Sequence, residues 1–206
     1  MTDDTSKLSP DEILIAEFEY AANSAFQANE DRSKVASFFL ISVGSLVAAI
    51  LGAEKFTLAP GAFIGLAGLF LVLTFLGLLT VMQLARLREA WIESAKAMNK
   101  IKDHYIARLK DPKNEKTKFE DAFRWRSITI PDPYKPQSVS YYTVLEVALL
   151  SGLTFGAAVY FLLIGLAAGA DPIQCIWWLT IGASALAFLF DLVIYKRMLT
   201  RAKEST

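Results

Sequence analysis

Residues 56–85 read FTLAPGAFIGLAGLFLVLTFLGLLTVMQLA, 30 positions without Asp, Glu, Lys or Arg. A helix needs roughly 20 mostly apolar residues to cross the hydrocarbon core of a bilayer. Three more uncharged runs come near or exceed that length: 35–53 with 19 residues, 147–170 with 24 and 172–190 with 19. The whole chain of 206 residues is 54% hydrophobic and only 20% charged. Such a chain is a polytopic membrane protein, and all-α, because backbone groups in lipid must be satisfied within their own segment. A soluble enzyme, a nucleic-acid-binding module and a disulfide scaffold are excluded. One cysteine, Cys175, forms no internal disulfide, and one histidine, His104, makes no multi-histidine metal site.

The flanks place the spans at about 35–53, 60–85, 142–168 and 172–195. Pro60 and Pro172 stand at helix starts, where a missing N–H costs nothing, and Asp171 is a candidate N-cap. Lys and Arg are distributed unevenly around these spans. Three lie in 1–34, thirteen in 86–140 and four in the tail; the loop before Pro60 holds only Lys55, and 169–171 holds none. The positive-inside rule then makes both termini and the middle segment cytoplasmic, in an inner (cytoplasmic) membrane. Trp177 and Trp178 near the outer boundary, and Tyr141 and Tyr142 near the inner one, fit aromatic belts. The expected organisation is a cytoplasmic N-terminal amphipathic helix (1–34), transmembrane hairpin 1 (35–85), a cytoplasmic helix and basic, aromatic connector (86–140), transmembrane hairpin 2 (141–195) and a cytoplasmic tail (196–206). The opening, MTDDTSKLSPDEIL, is acidic and polar with no basic n-region, so the first span is expected to direct insertion.

Small residues recur four apart: Gly44, Ala48 and Gly52; Gly61 and Gly65; Gly152 and Gly156; Gly165 and Gly169. That spacing lets helix backbones approach closely, within the chain or between copies.

Ser9-Pro10-Asp11-Glu12 is a capping-box start. No breaker follows before the first span, so one helix is expected to run into it. Leu14, Phe18, Ala21, Ala25 and Ala28 form its apolar stripe. The partner is the extension of the second span, where 84–110 lacks Gly and Pro. There Leu84, Leu87, Trp91, Ser94, Met98, Ile101, Tyr105 and Arg108 alternate by three and four, a short coiled-coil seam. At 1.5 Å per residue the two helices would project by roughly 30–40 Å. Residues 1–34 carry net −5 and residues 86–140 net +5, so charge favours the pairing. Beyond Asp111-Pro112, Phe119, Phe123 and Trp125 sit among Lys118, Arg124 and Arg126. This cluster suits a short helix at the membrane surface; stacking on a nucleotide or nucleic acid is the weaker alternative. A brief strand at Ile128–Ile130 is also compatible with the alternation there.

Nucleotide, metal and hydrolase motifs are absent, so neither catalysis nor a cofactor is expected. Glu146 and Asp191 lie about one turn inside the third and fourth spans. Intramembrane carboxylates are costly and mark pairs or pathways. Two readings stay open: pairing with Arg86, Lys196 or Arg197, or with Arg124 and Arg126 as an electrostatic latch, and lining of an ion path. No charge lies near the midplane of a span, which argues against a proton-coupled transporter.

Residues 20–53, YAANSAFQANEDRSKVASFFLISVGSLVAAILGA, resemble the start of bacterial SLATT-type membrane effectors, over roughly 11–110. SLATT-type proteins typically carry two spans and this chain four. The four-span plan is similar to that of the membrane subunit of Kiwa-type anti-phage systems. The resemblance implies an oligomeric membrane effector or sensor that forms a pore or channel, or recruits a partner, when triggered in antiviral defence. The alternative is a scaffold that docks a soluble cytoplasmic partner without transport; a lipid-modifying enzyme is the weakest reading. The topology has a direct test. Cysteines placed at Thr57 and Ala170, in a Cys175→Ala background, should react with an impermeant maleimide on intact cells. A cysteine at Asn114 should not, and its labelling would overturn the inside placement of the middle segment.

Overall fold

A computed structural model describes residues 9–52, 60–109, 130–167 and 175–204. These residues form four helices: α1 (Pro10–Gly52), α2 (Pro60–Leu109), α3 (Val139–Ala167) and α4 (Cys175–Glu204). All four are long and apolar enough to cross a membrane. Pro10 and Pro60 open their helices, and α1 and α2 run unbroken for 43 and 50 residues. The capping box forms as its sequence requires. The Glu12 N–H donates to Ser9 Oγ at 3.2 Å, and the Ser9 N–H donates to Glu12 Oε2 at 2.8 Å. Helix α3 begins three residues earlier than its apolar run, because Ser138 caps it: the Tyr141 N–H donates to Ser138 Oγ at 3.2 Å. Just before, Pro136 and Gln137 turn the chain, and Gln137 adopts φ 69°, the left-handed conformation that a type II turn demands at its third position. The expected fourth-span start at Asp171-Pro172 lies outside the described residues, as do 110–129 with Phe119, Phe123, Arg124, Trp125 and Arg126. Ile130 is irregular rather than strand.

The chain divides into two compact units, residues 1–31 with 87–133 and residues 32–86 with 134–206. In the first, Ala21, Ala25 and Ala28 are buried, as their spacing implies, with Leu14 and Phe18 half-buried beside them. The facing side of α2 differs from the expected seam by one residue. Ile92, Asn99 and Ile106, seven apart, are buried, whereas Trp91, Met98 and Tyr105 are half-buried and Arg108 is exposed. Trp91 and Met98 instead line a small groove of about 160 Å³ with Ile130 and Pro131 of the returning chain. Asn99 occupies a repeating core position, where a buried amide fixes register at some cost in stability.

The two helices of this unit run antiparallel. Asp11 meets Arg108 at 3.1 Å, and Lys102 Nζ lies 5.6 Å from the centre of the Phe18 ring. The Asp11–Arg108 side chains are 55% and 58% exposed, so the pair contributes about 0–1 kcal/mol. This exposed pair adds little beside the apolar packing of the unit.

The second unit has an apolar core drawn from all four helices: Phe39 from α1, Phe70 and Leu84 from α2, Val144 and Val147 from α3, and Tyr195 from α4. Helix α3 is its centre. A Cβ added at Gly77 of α2 would lie 2.7 Å from the Ser151 Cβ of α3 and 2.9 Å from Phe39 of α1. One added at Gly152 would lie 2.7 Å from the Ser184 carbonyl oxygen of α4, and one at Gly165 3.0 Å from Ile64 of α2. Phe161 of α3 stacks on Phe70 at 5.5 Å. The outward faces are apolar as well, with Phe75, Leu153, Trp178 and Leu186 more than half exposed. This is the arrangement expected where the solvent is lipid.

The glycines provide a paired test. Gly152→Ala should destabilise by about 1–3 kcal/mol, because backbone must move to admit the methyl group. Gly182 faces open space among the described residues, so Gly182→Ala should be neutral or stabilising by up to roughly 1 kcal/mol. Thermal unfolding in one detergent compares them; equal midpoints would contradict the α3–α4 contact.

Candidate functional site

Serine and threonine hydroxyls in a helix usually bond a carbonyl one turn back. Thr74 does so to the Phe70 oxygen at 2.9 Å, Thr80 to Leu76 at 2.8 Å, and Thr154 to the Ser151 carbonyl at 2.8 Å. Two contacts go further and join helices. Thr74 Oγ1 and Thr154 Oγ1 are 3.0 Å apart, and Ser151 Oγ reaches the Thr74 carbonyl at 3.4 Å. The close approach at Gly77 makes these contacts possible, since any side chain there would separate α2 from α3.

Asp191 of α4 completes the cluster. It is only 3% exposed, the Ser151 hydroxyl lies beside its carboxyl group, and its Oδ2 is buried without a hydrogen-bond partner. Asp191, Ser151 and Thr74 line one groove of about 520 Å³, whose other walls include Leu71, Phe75 and Phe190. The groove is thus apolar with an oxygen-rich back. Asp191 precedes Lys196 by five residues, about 7 Å along the helix axis.

Glu146 is treated differently by the fold. It is exposed on α3, and among the described residues neither it nor Asp191 is in an ion pair. Neither carboxylate therefore forms an ion pair with Arg86, Lys196 or Arg197. Arg124 and Arg126 lie outside the described residues. No family model, curated protein or solved structure matches this chain.

The cluster of Thr74, Gly77, Ser151 and Thr154 escaped the sequence reading, which looked for small residues four apart. A signal was present: Thr74 and Gly77, and Ser151 and Thr154, are pairs of small residues three apart on single helix faces, three of the four carrying a hydroxyl. The four-apart stripes divide into two groups. Gly152, Gly156 and Gly165 are jammed against neighbouring helices, Gly156 against Ser184. Gly44, Gly52, Gly61 and Gly65 would meet nothing within 4 Å.

In the other unit, Leu14, Phe18 and Tyr105 line an apolar groove of about 500 Å³ with Ile15, Ile101 and Lys102. The Tyr105 hydroxyl donates to Asp11 Oδ1 at 3.4 Å. Partial desolvation first, then the Asp11 carboxylate, raise the Tyr105 phenol above its ordinary value of 10.0, while Arg108 opposes the shift. His104 is exposed, edge-on to Tyr105. Among the described residues no three His, Cys, Asp or Glu side chains gather to hold a metal. Because a raised phenol pKa favours the folded state only while the phenol is protonated, this contribution is complete below pH 10 and fades as pH rises through the higher folded value. Asp11→Asn should lower the Tyr105 titration toward the ordinary value, read by NMR of labelled tyrosine and assigned with Tyr105→Phe. An unchanged titration would contradict the contact.

Proposed function

We propose that this chain is an oligomeric, multi-pass effector or sensor of the bacterial inner membrane. In this reading it forms two transmembrane hairpins, with both termini and the middle segment cytoplasmic, and conducts ions or perturbs the bilayer when its cytoplasmic helices respond to a trigger. Antiviral defence is the setting that the SLATT-type and Kiwa-type resemblances imply. The observation that carries the oligomer is the open glycine face. Gly44 and Gly52 of α1, and Gly61, Gly65 and Gly68 of α2, have nothing within 4 Å of an added Cβ among the described residues. Lipid tails are as apolar as leucine, so helices in a membrane associate by close van der Waals contact, which small residues permit. The same chain uses Gly152 and Gly165 in that way internally, which supports a like use for the open faces.

A scaffold that docks a soluble partner is the second reading. It is favoured by Ile13, Ile15, Tyr20 and Phe26, all more than half exposed on the first part of α1. Membrane conductance separates the two. Gly44→Ile should shift the protein in mild detergent toward the 22.8 kDa monomer and abolish depolarisation on expression, at unchanged abundance. A parent protein that is itself monomeric would sink the oligomer. An oligomer that never depolarises cells would leave the scaffold as the better account.

A further inference from the structure

We propose that Asp191, Ser151 and Thr74 form a binding site for a small monovalent metal cation, of the size of sodium, between α2, α3 and α4. The proposal does not rest on the effector reading or on oligomer formation.

The carboxyl group of Asp191 is buried, and its Oδ2 has no hydrogen-bond partner. A buried carboxylate without a counter-charge is expensive, and one inside a membrane helix is a functional site by default. Charged side chains on the elements around it include Lys34 on α1, Arg86 and Arg88 on α2, Glu146 on α3, and Lys196, Arg197 and Arg201 on α4. None forms an ion pair with it; the Ser151 hydroxyl is its polar neighbour.

The surrounding atoms set the chemistry of the ligand. Ser151 Oγ, the Thr74 carbonyl and the linked hydroxyls of Thr74 and Thr154 are all oxygens. Oxygen-only surroundings select hard cations, as calcium and magnesium sites do. Charge then selects the valence. The cluster holds one carboxylate, and the described residues offer no gathering of three acidic, His or Cys ligands. One negative charge neutralises one monovalent cation and leaves a divalent ion half compensated. The groove against Phe75 and Phe190 supplies an approach from outside the bundle.

The parallel run of hydroxyls has an independent purpose in this arrangement. Each hydroxyl carries one hydrogen and two lone pairs. The 3.0 Å contact between Thr74 and Thr154 uses one hydroxyl hydrogen, and at least one lone pair on each oxygen remains available as an acceptor.

The test uses the purified full chain in detergent at neutral pH, with thermal unfolding compared in sodium chloride and choline chloride at equal ionic strength. At sodium about tenfold above Kd, the midpoint should rise by about 3–6 °C. Asp191→Asn should remove the rise. Ser151→Ala should keep the fold and weaken binding about tenfold, measured directly by sodium-23 NMR line broadening. Equal midpoints in the two salts would overturn the site, as would an undiminished sodium response in Asp191→Asn. A midpoint that follows pH alone, and loses that dependence in Asp191→Asn, would mean that the carboxyl takes a proton and no metal. Gly44→Ile should retain the sodium response, so failure of the oligomer and failure of the cation site are separately readable.

Discussion

Helix α3 comes closest to α2 and α4 where glycine faces serine. Gly77 against Ser151, and Gly152 against the Ser184 backbone, bring the helices closer than any larger residue would allow. In lipid there is no hydrophobic gain from joining two apolar helices, so contact distance decides whether they associate. The same closeness brings Thr74 within 3.0 Å of Thr154 and places Ser151 beside Asp191. Packing and chemistry in this unit thus share one cause. A residue that widened either contact would loosen the bundle and disperse its polar cluster together.

Two different solutions to helix pairing occur along the same two helices. The 32–86 part of α1 and α2 uses large apolar residues such as Phe39, Phe70 and Leu84. The 1–31 and 87–133 part buries Ala21, Ala25 and Ala28 of α1 and Ile92, Asn99 and Ile106 of α2. A buried amide such as Asn99 specifies register, which matters most where water competes for every polar group. This contrast supports the proposed passage of α2 from lipid into water, where the charge content of the chain changes abruptly after Ala85.

Elements governed by local rules were legible in the sequence. The uncharged runs marked four helices, Ser9 to Glu12 marked a capping box, and the alanine stripe of α1 marked a buried face. Features that depend on a partner helix were not. The seam of α2 follows a three–four alternation through Trp91, Met98 and Tyr105 in the sequence, whereas Ile92, Asn99 and Ile106 are the buried positions. The glycine stripes looked alike, yet only Gly152, Gly156 and Gly165 meet another helix among the described residues. Asp191 was recognisable as costly; its place beside Ser151 depends on the rotation of α4 against α3, which no local pattern specifies.

The proposed topology requires α2 to leave the membrane partway along its length. Nitroxide accessibility along that one helix, in the full chain in liposomes, measures this most directly. Labels at exposed positions Leu71, Phe75 and Leu79 should collide mainly with oxygen, which concentrates in lipid. Labels at exposed positions Glu93, Lys100 and Ala107 should collide mainly with a water-soluble nickel reagent. Oxygen-dominated relaxation at Lys100, or nickel-dominated relaxation at Phe75, would contradict the account.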